Sequence, residues 1–142
     1  MKISAKTEYA CLAMLELAAR YGTGEPVRIR TIADEHGIPS RFLVQILLQL
    51  KGAGFVASTR GAAGGYQLIK PPEEITLGEV MTVIEGNDAE ISTSGGDTSA
   101  AGRVLVDAWR EVAQAQRDAL YGITFGDLAA RIKQHSENMF YI

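Results

Sequence analysis

Apolar residues recur at helical spacing over residues 4–21, at Ala10, Cys11, Met14, Leu15, Leu17 and Ala18, which predicts a first helix. Gly22, Gly24 and Pro26 end it, and Pro26-Val27-Arg28 reads as a short extended piece. A brief helix comes next, capped by Thr31, with Ile32 and Ala33 facing inward and Gly37 as its stop. After the Ile38-Pro39 turn, Ser40 caps a helix over about 41–52 whose stripe is Leu43, Ile46, Leu47 and Leu50. The period then changes. Phe55–Thr59 and Tyr66–Ile69 alternate as strands, Arg60–Gly65 joins them, and Pro71-Pro72 stops the second. Thr76 with Glu79 makes a capping box for a helix through about Glu85. Gly86 to Gly102 is rich in Ser, Gly, Thr and Asp and reads as a mobile loop. A long helix from about Ala101 to Tyr121 carries Leu105, Ala108, Trp109, Val112, Ala115 and Leu120, and Gly122 ends it. Thr124 caps a last short helix with Leu128, Ala129 and Ile132, before Asn138-Met139-Phe140-Tyr141-Ile142.

Helix, turn, helix, strand and a glycine-rich turn describe a winged helix-turn-helix. The expected fold class is mainly α with a small β-wing, plus a long dimerisation helix. Residues 1–86 would form the DNA-binding domain, 87–100 the mobile loop, 101–136 the dimerisation helices and 137–142 a tail. The helix over 101–121 is too long and too apolar along one stripe for a winged domain of this size to cover. A second copy of the chain is the expected cover, with packing back on its own domain as the alternative. A two-fold dimer would set its two reading helices on half-sites ~34 Å apart.

A net charge of −3 argues against a nucleic-acid partner until its distribution is considered. Residues 1–70 hold nine Lys/Arg against five Asp/Glu, and residues 71–142 hold five against twelve. A basic front half suits phosphate, although a solvated charge bias would look the same. Hydrophobic residues at 46% and charged residues at 22% are ordinary for a globular chain. No apolar run approaches the ~20 residues that cross a bilayer, and the start lacks a signal-peptide core. Cys11 is the single cysteine, so no internal disulfide forms. These readings point to a cytoplasmic protein with no membrane partner.

Arg60-Gly-Ala-Ala-Gly-Gly-Tyr66 is the sharpest motif. Gly61, Gly64 and Gly65 permit a tight hairpin, and Arg60 stands at its base, placed for a minor groove. A phosphate-binding loop is the rival reading, but no Gly-Lys-Ser/Thr follows and the next element is a strand. On the reading helix, Ser40 can bond a phosphate or cap. Arg41 suits guanine or phosphate, Gln45 suits adenine and Val44 a thymine methyl. A solvated helix face would offer the same residues. Lys2, Lys6, Arg28, Arg30, Lys51, Ser58 and Thr59 are candidate phosphate contacts. His36 and His135 lie on different helices as surface residues, no Cys/His spacing suggests a metal, and Glu73-Glu74 reads as a solvated turn, so catalysis has no support.

These motifs together resemble a known family. Met1 to Ala10, Ile32-Ala33-Asp34, Gly37-Ile38, Phe42-Leu43-Val44-Gln45, Arg60 to Tyr66 and Pro71 to Leu77 are similar to the dimeric winged-helix regulators that include IscR, NsrR and CymR. The resemblance is strong over about 1–86 and looser beyond, and it implies a DNA-binding transcriptional regulator. It departs at Val44, where a glutamate is usual. Many relatives hold an iron–sulfur cluster through three cysteines in the loop after the fourth helix and a ligand from the first. Here that loop offers Ser92, Ser94 and Ser99, while Glu8 stands where some relatives supply an acid. One carboxylate without thiolates holds no cluster, so no metal and no cofactor are expected.

The resemblance then favours the cluster-free branch typified by CymR, which regulates cysteine metabolism. It implies a repressor that partners cysteine synthase (O-acetylserine thiol-lyase) through Phe140, Tyr141 and Ile142, with the isoleucine carboxylate in the enzyme's active site and O-acetylserine competing for it. The tail folding back on the dimer is the alternative. Two other functions stay open: a redox sensor using Cys11, against a buried structural thiol, and an interaction module that inhibits an enzyme through its tail.

Overall fold

The computed structural model describes residues 2–86 and 99–139. The expected mobile loop, all but residues 99 and 100, lies outside the described residues, as do Phe140, Tyr141 and Ile142. The elements are α1 (Ala5–Ala19), α2 (Ile29–His36), α3 (Ser40–Gly52), β1 (Val56–Thr59), β2 (Gly65–Leu68), a 3-10 turn (Pro72–Glu74), α4 (Leu77–Glu85), α5 (Ala100–Gly122) and α6 (Phe125–Met139). This is a mainly helical winged helix with a two-stranded antiparallel wing, as the hydrophobic pattern predicts.

Helix α1 is the hub, packing against α2, α3, α4, α6 and β2. Its small residues Ala10 and Ala13 are fully buried and let neighbouring helices approach, while Met14 and Leu17 fill the space between them. Leu43, Ile46, Leu47 and Leu50 of α3 are all fully buried, the full expected stripe. Val56, Leu68, Ile75 and Val80 complete the core.

Several helix ends differ from expectation. Helix α2 begins at Ile29 with Arg28 as its N-cap, so Thr31 lies inside it. Ser40 is the first residue of α3, and Pro39 is the N-cap, its carbonyl accepting from Phe42 and Leu43 N–H groups at 3.1 Å each. Gly37, by contrast, takes the left-handed conformation that stops α2 (φ 64°). The Thr76–Glu79 capping box forms with both bonds in place. His36 is not free at the surface: its Nε2 lies 3.1 Å from Glu16 of α1 and ties α2 to the hub.

The N-terminus of α1 carries a tie that spans most of the chain. Ser4 Oγ accepts from the Thr7 amide, and the Ser4 and Thr7 hydroxyls both donate to Glu85 Oε1 at the end of α4, Thr7 at 2.6 Å. Those hydrogen bonds, with Lys6 nearby, hold the Glu85 carboxyl below its ordinary pKa. The carboxylate also sits where the α1 dipole favours negative charge.

The last two helices divide in role. Phe125 is fully buried in the core, its amide bonded to the Ile75 carbonyl at 2.9 Å, and Leu128 and Ala129 pack against the same core. The first turns of α6 therefore cover their own chain rather than a partner. The helix continues to Met139 and takes in residues 137–139, where a tail was expected to begin. Helix α5 buries no residue, leaving Val104, Leu105, Trp109 and Val112 between 46% and 70% exposed. It touches α4 where the Tyr121 ring lies over Gly78 and the Tyr121 and Thr82 hydroxyls meet at 2.8 Å. A Cβ on Gly78 would stand 2.5 Å from that ring, so this approach needs glycine.

Candidate nucleic-acid interface

With the leucine-rich side of α3 committed to the core, its other side must face solvent. Ser40, Arg41, Val44, Gln45, Leu48 and Lys51 are all exposed there. Ser40 makes no capping bond, which leaves its hydroxyl available to a phosphate. The Arg41 guanidinium stands 5.0 Å from the centroid of Phe42, a cation–π contact that orients it at the start of the helix.

Three strand-like segments build the wing. Val56, Ala57, Ser58 and Thr59 pair with Leu68, Gln67, Tyr66 and Gly65 in an antiparallel ladder. Val27 adds a bridge to Tyr66, with 2.8 Å hydrogen bonds in both directions. Gly65 makes that bridge possible, because a Cβ there would collide with the Val27 carbonyl oxygen and stand 2.5 Å from its carbon. The bridge sets Arg28 beside the wing. Lys51 Nζ donates to Ser58 Oγ at 2.7 Å, fastening the end of α3 to β1.

The result is an open groove of about 430 Å³ whose lining includes Arg28, Ser58, Thr59, Arg60, Gly61, Gly64 and Gly65. Two arginines lie in that lining with the hydroxyl-bearing Ser58, Thr59 and Tyr66, and none of its residues is acidic. Such a surface can receive a polyanion. Gly61 turns the hairpin with φ 103°, and the Gly64 amide bonds to the Gly61 carbonyl at 3.0 Å. Seven of the candidate residues thus converge on the groove, with Lys51 joined to it through Ser58. Lys2 and Lys6 are exposed on the approach to α1 and in its first turn and do not line the groove. Arg30 is exposed on α2, 3.9 Å from Asp34, a contact too open to hold it firmly.

Two exposed residues of α3 carry more than the motif reading assigned. Phe42 is 43% exposed and supports Arg41, and Leu48 is 55% exposed on the outer side. The buried stripe already implied the second, since 43, 46, 47 and 50 leave 48 pointing away from the core.

Cys11 lies on α1 packed against the core. Burial, with the Glu8 charge adding to it, pushes its thiol up to about 11. Among the described residues no three His, Cys, Asp or Glu side chains gather as a metal site, and no helix is long and apolar enough to cross a membrane.

Comparison with known proteins agrees with this geometry. The family model Rrf2, described as an iron-dependent transcriptional regulator, matches residues 3–131. The HTH-type transcriptional regulator CymR of Bacillus subtilis (strain 168) is 36% identical over 143 residues, covering 100% of both chains. The solved structure of CymR, the global cysteine regulator of B. subtilis, superposes with a TM-score of 0.81 at 35% identity, over 92% of this chain and 98% of that one. IscR of T. potens follows with a TM-score of 0.77 at 32% identity, over 95% and 90%. A winged helix with a basic groove, matched along nearly its whole length, places this chain in the Rrf2 family of DNA-binding transcriptional regulators.

Proposed function

We propose that this protein is a dimeric transcriptional repressor in the cytoplasm that works without an iron–sulfur cluster and controls genes of cysteine or sulfur metabolism. The observation that carries the DNA-reading part is the wing: Arg28 and Arg60 flank one groove, and the Lys51–Ser58 bond fixes that groove relative to α3. In this reading α3 enters a major groove with Arg41, Val44 and Gln45 on base edges. Arg60 enters the adjoining minor groove, and Arg28, Ser40, Lys51, Ser58 and Thr59 hold phosphates. Gly61 lets the wing backbone approach the duplex, while Gly64 and Gly65, whose missing side chains admit the chain's own backbone, hold the turn in the shape that presents it. Lys2, Lys6 and Arg30 serve as outer phosphate contacts.

The apolar stripe of α5 supports the dimer. Leu105, Trp109 and Val112 follow one another at four and three residues and are all about half exposed. A second copy would cover them.

The donor set of this chain does not fit an iron–sulfur cluster. Such clusters are held by several thiolates, and Cys11 is the single cysteine, packed against the core with its proton held to about pH 11. Glu8 is exposed on α1, one carboxylate whose nearby sulfur, Cys11, is a single thiol held in its protonated form. The same thiol chemistry speaks against a redox sensor, since only about 1 in 10⁴ of such thiols is ionised at pH 7.

Likeness to a global cysteine regulator over the full chain supports the metabolic assignment. The partner in this reading is cysteine synthase, engaged by Phe140, Tyr141 and Ile142. Helix α6 is exposed from residue 130 to 139 and would carry that segment away from the winged domain. Footprinting on the DNA upstream of the gene tests the regulator. Calorimetric titration of the host's cysteine synthase, with the full chain and with one lacking Tyr141-Ile142, tests the partner. Binding that disappears on truncation and under O-acetylserine is expected, and equal binding by both forms would remove the tail from the scheme.

A further inference from the structure

The outer face of α3 has an unusual chemistry for a surface helix. Its Ser40–Gly52 sequence contains no Asp or Glu, and two of its exposed side chains are aliphatic, Val44 at 40% and Leu48 at 55% exposure. Arg41, Val44, Gln45 and Leu48 stand at i, i+3, i+4 and i+7, the spacing that points at base edges when a helix lies along a major groove. Arg41 leans on Phe42 at the flank, which leaves the middle of the face to the two aliphatic side chains and Gln45.

Each base offers that face a different partner. Cytosine presents an amino donor that a carboxylate reads, and α3 has no carboxylate to offer. Adenine suits the Gln45 amide and guanine the Arg41 guanidinium, while only the thymine methyl rewards contact with an aliphatic side chain. Val44 and Leu48 are separated by about 6 Å along the helix, close to two base-pair steps of ~3.4 Å. Resting on the DNA-reading function proposed above, we infer that Val44 and Leu48 read thymine methyl groups, so that the protein selects half-sites with thymines about two steps apart. Leu48 thereby becomes a specificity-determining residue beside the candidates on the first turns of α3.

The test uses a duplex library with a randomised centre, selected on the full-length protein. The winning duplex is then remade with deoxyuridine for thymidine one half-site position at a time, which deletes the methyl and leaves every Watson–Crick bond. Thymines are expected in the half-site, and each methyl loss at the two positions should weaken binding about fourfold, as expected for one buried methyl-sized contact. Val44→Ala/Leu48→Ala should bind the thymine and uracil duplexes equally, with circular dichroism confirming the fold. Half-sites without thymine, equal binding of both duplexes by the unaltered protein, or discrimination that survives in the double variant would each overturn the inference while leaving DNA reading intact. A library that never enriches would overturn the DNA-reading function itself, and this inference with it.

Discussion

Gly65→Ala is the most revealing single substitution, because a methyl group there meets backbone rather than a movable side chain. Its Cβ would collide with the Val27 carbonyl oxygen and lie 2.5 Å from the carbonyl carbon and 3.0 Å from Arg28 N. The strand at Val27 must move away, breaking both 2.8 Å hydrogen bonds to Tyr66. Two such bonds contribute about 1 kcal/mol each net, and the distorted turn adds about 1 more, so a loss of ~3 kcal/mol is expected. For a chain of this size that lowers Tm by about 10 °C. Arg28 and Arg60 lose their common groove, so DNA affinity should fall about tenfold or more in a fluorescence-anisotropy titration. Gly22→Ala is the control: Gly22 has φ 87° but nothing within 4 Å of an added Cβ, so only the ~1–2 kcal/mol of a left-handed residue is lost and DNA binding stays. Equal Tm shifts and equal DNA affinity for the two variants would refute the claim that the Val27 bridge builds the groove.

Three further outcomes follow from the same structure. Glu85 has a depressed pKa in the folded state, so its contribution is present above the ordinary carboxylate pKa and lost as pH falls through the folded value; Glu85→Gln should flatten that acid-side decline in a series of melting curves. Leu105→Glu places a charge in the exposed stripe of α5, and sedimentation should shift from dimer to monomer at micromolar concentration while circular dichroism stays unchanged. Cys11 should resist alkylation at pH 7.5 and react only as pH approaches about 11, and peroxide should leave DNA affinity unaltered.

Most of the winged domain was legible because its signals are local. The α3 stripe needs only a period of 3.6, the Thr76–Glu79 box needs two residues three apart, and the wing announces itself by alternation around Arg60 and its glycines. What escaped depends on partners distant in sequence. Nothing near Phe125 marks it as fully buried, since its pocket is made by residues from other elements such as Ile75. Glu85 meets Ser4 and Thr7 across 81 and 78 residues, a pairing with no local pattern. The starts of α2 and α3 were missed for another reason: neither uses a side-chain cap, so Thr31 and Ser40 looked like caps yet lie inside their helices. At the candidate interface, the sequence names Arg28, Ser58, Thr59, Arg60 and the wing glycines but not the Val27 bridge that gathers them, nor the exposure of Leu48.

The most direct test of the account is the salt dependence of binding to the DNA upstream of the gene, measured for the unaltered protein and for Arg60→Ala. The account predicts affinity that falls steeply and log-linearly with salt, with Arg60→Ala weaker and its slope smaller by about one. Affinity indifferent to salt, or an Arg60→Ala variant that matches the original in both strength and slope, would contradict it.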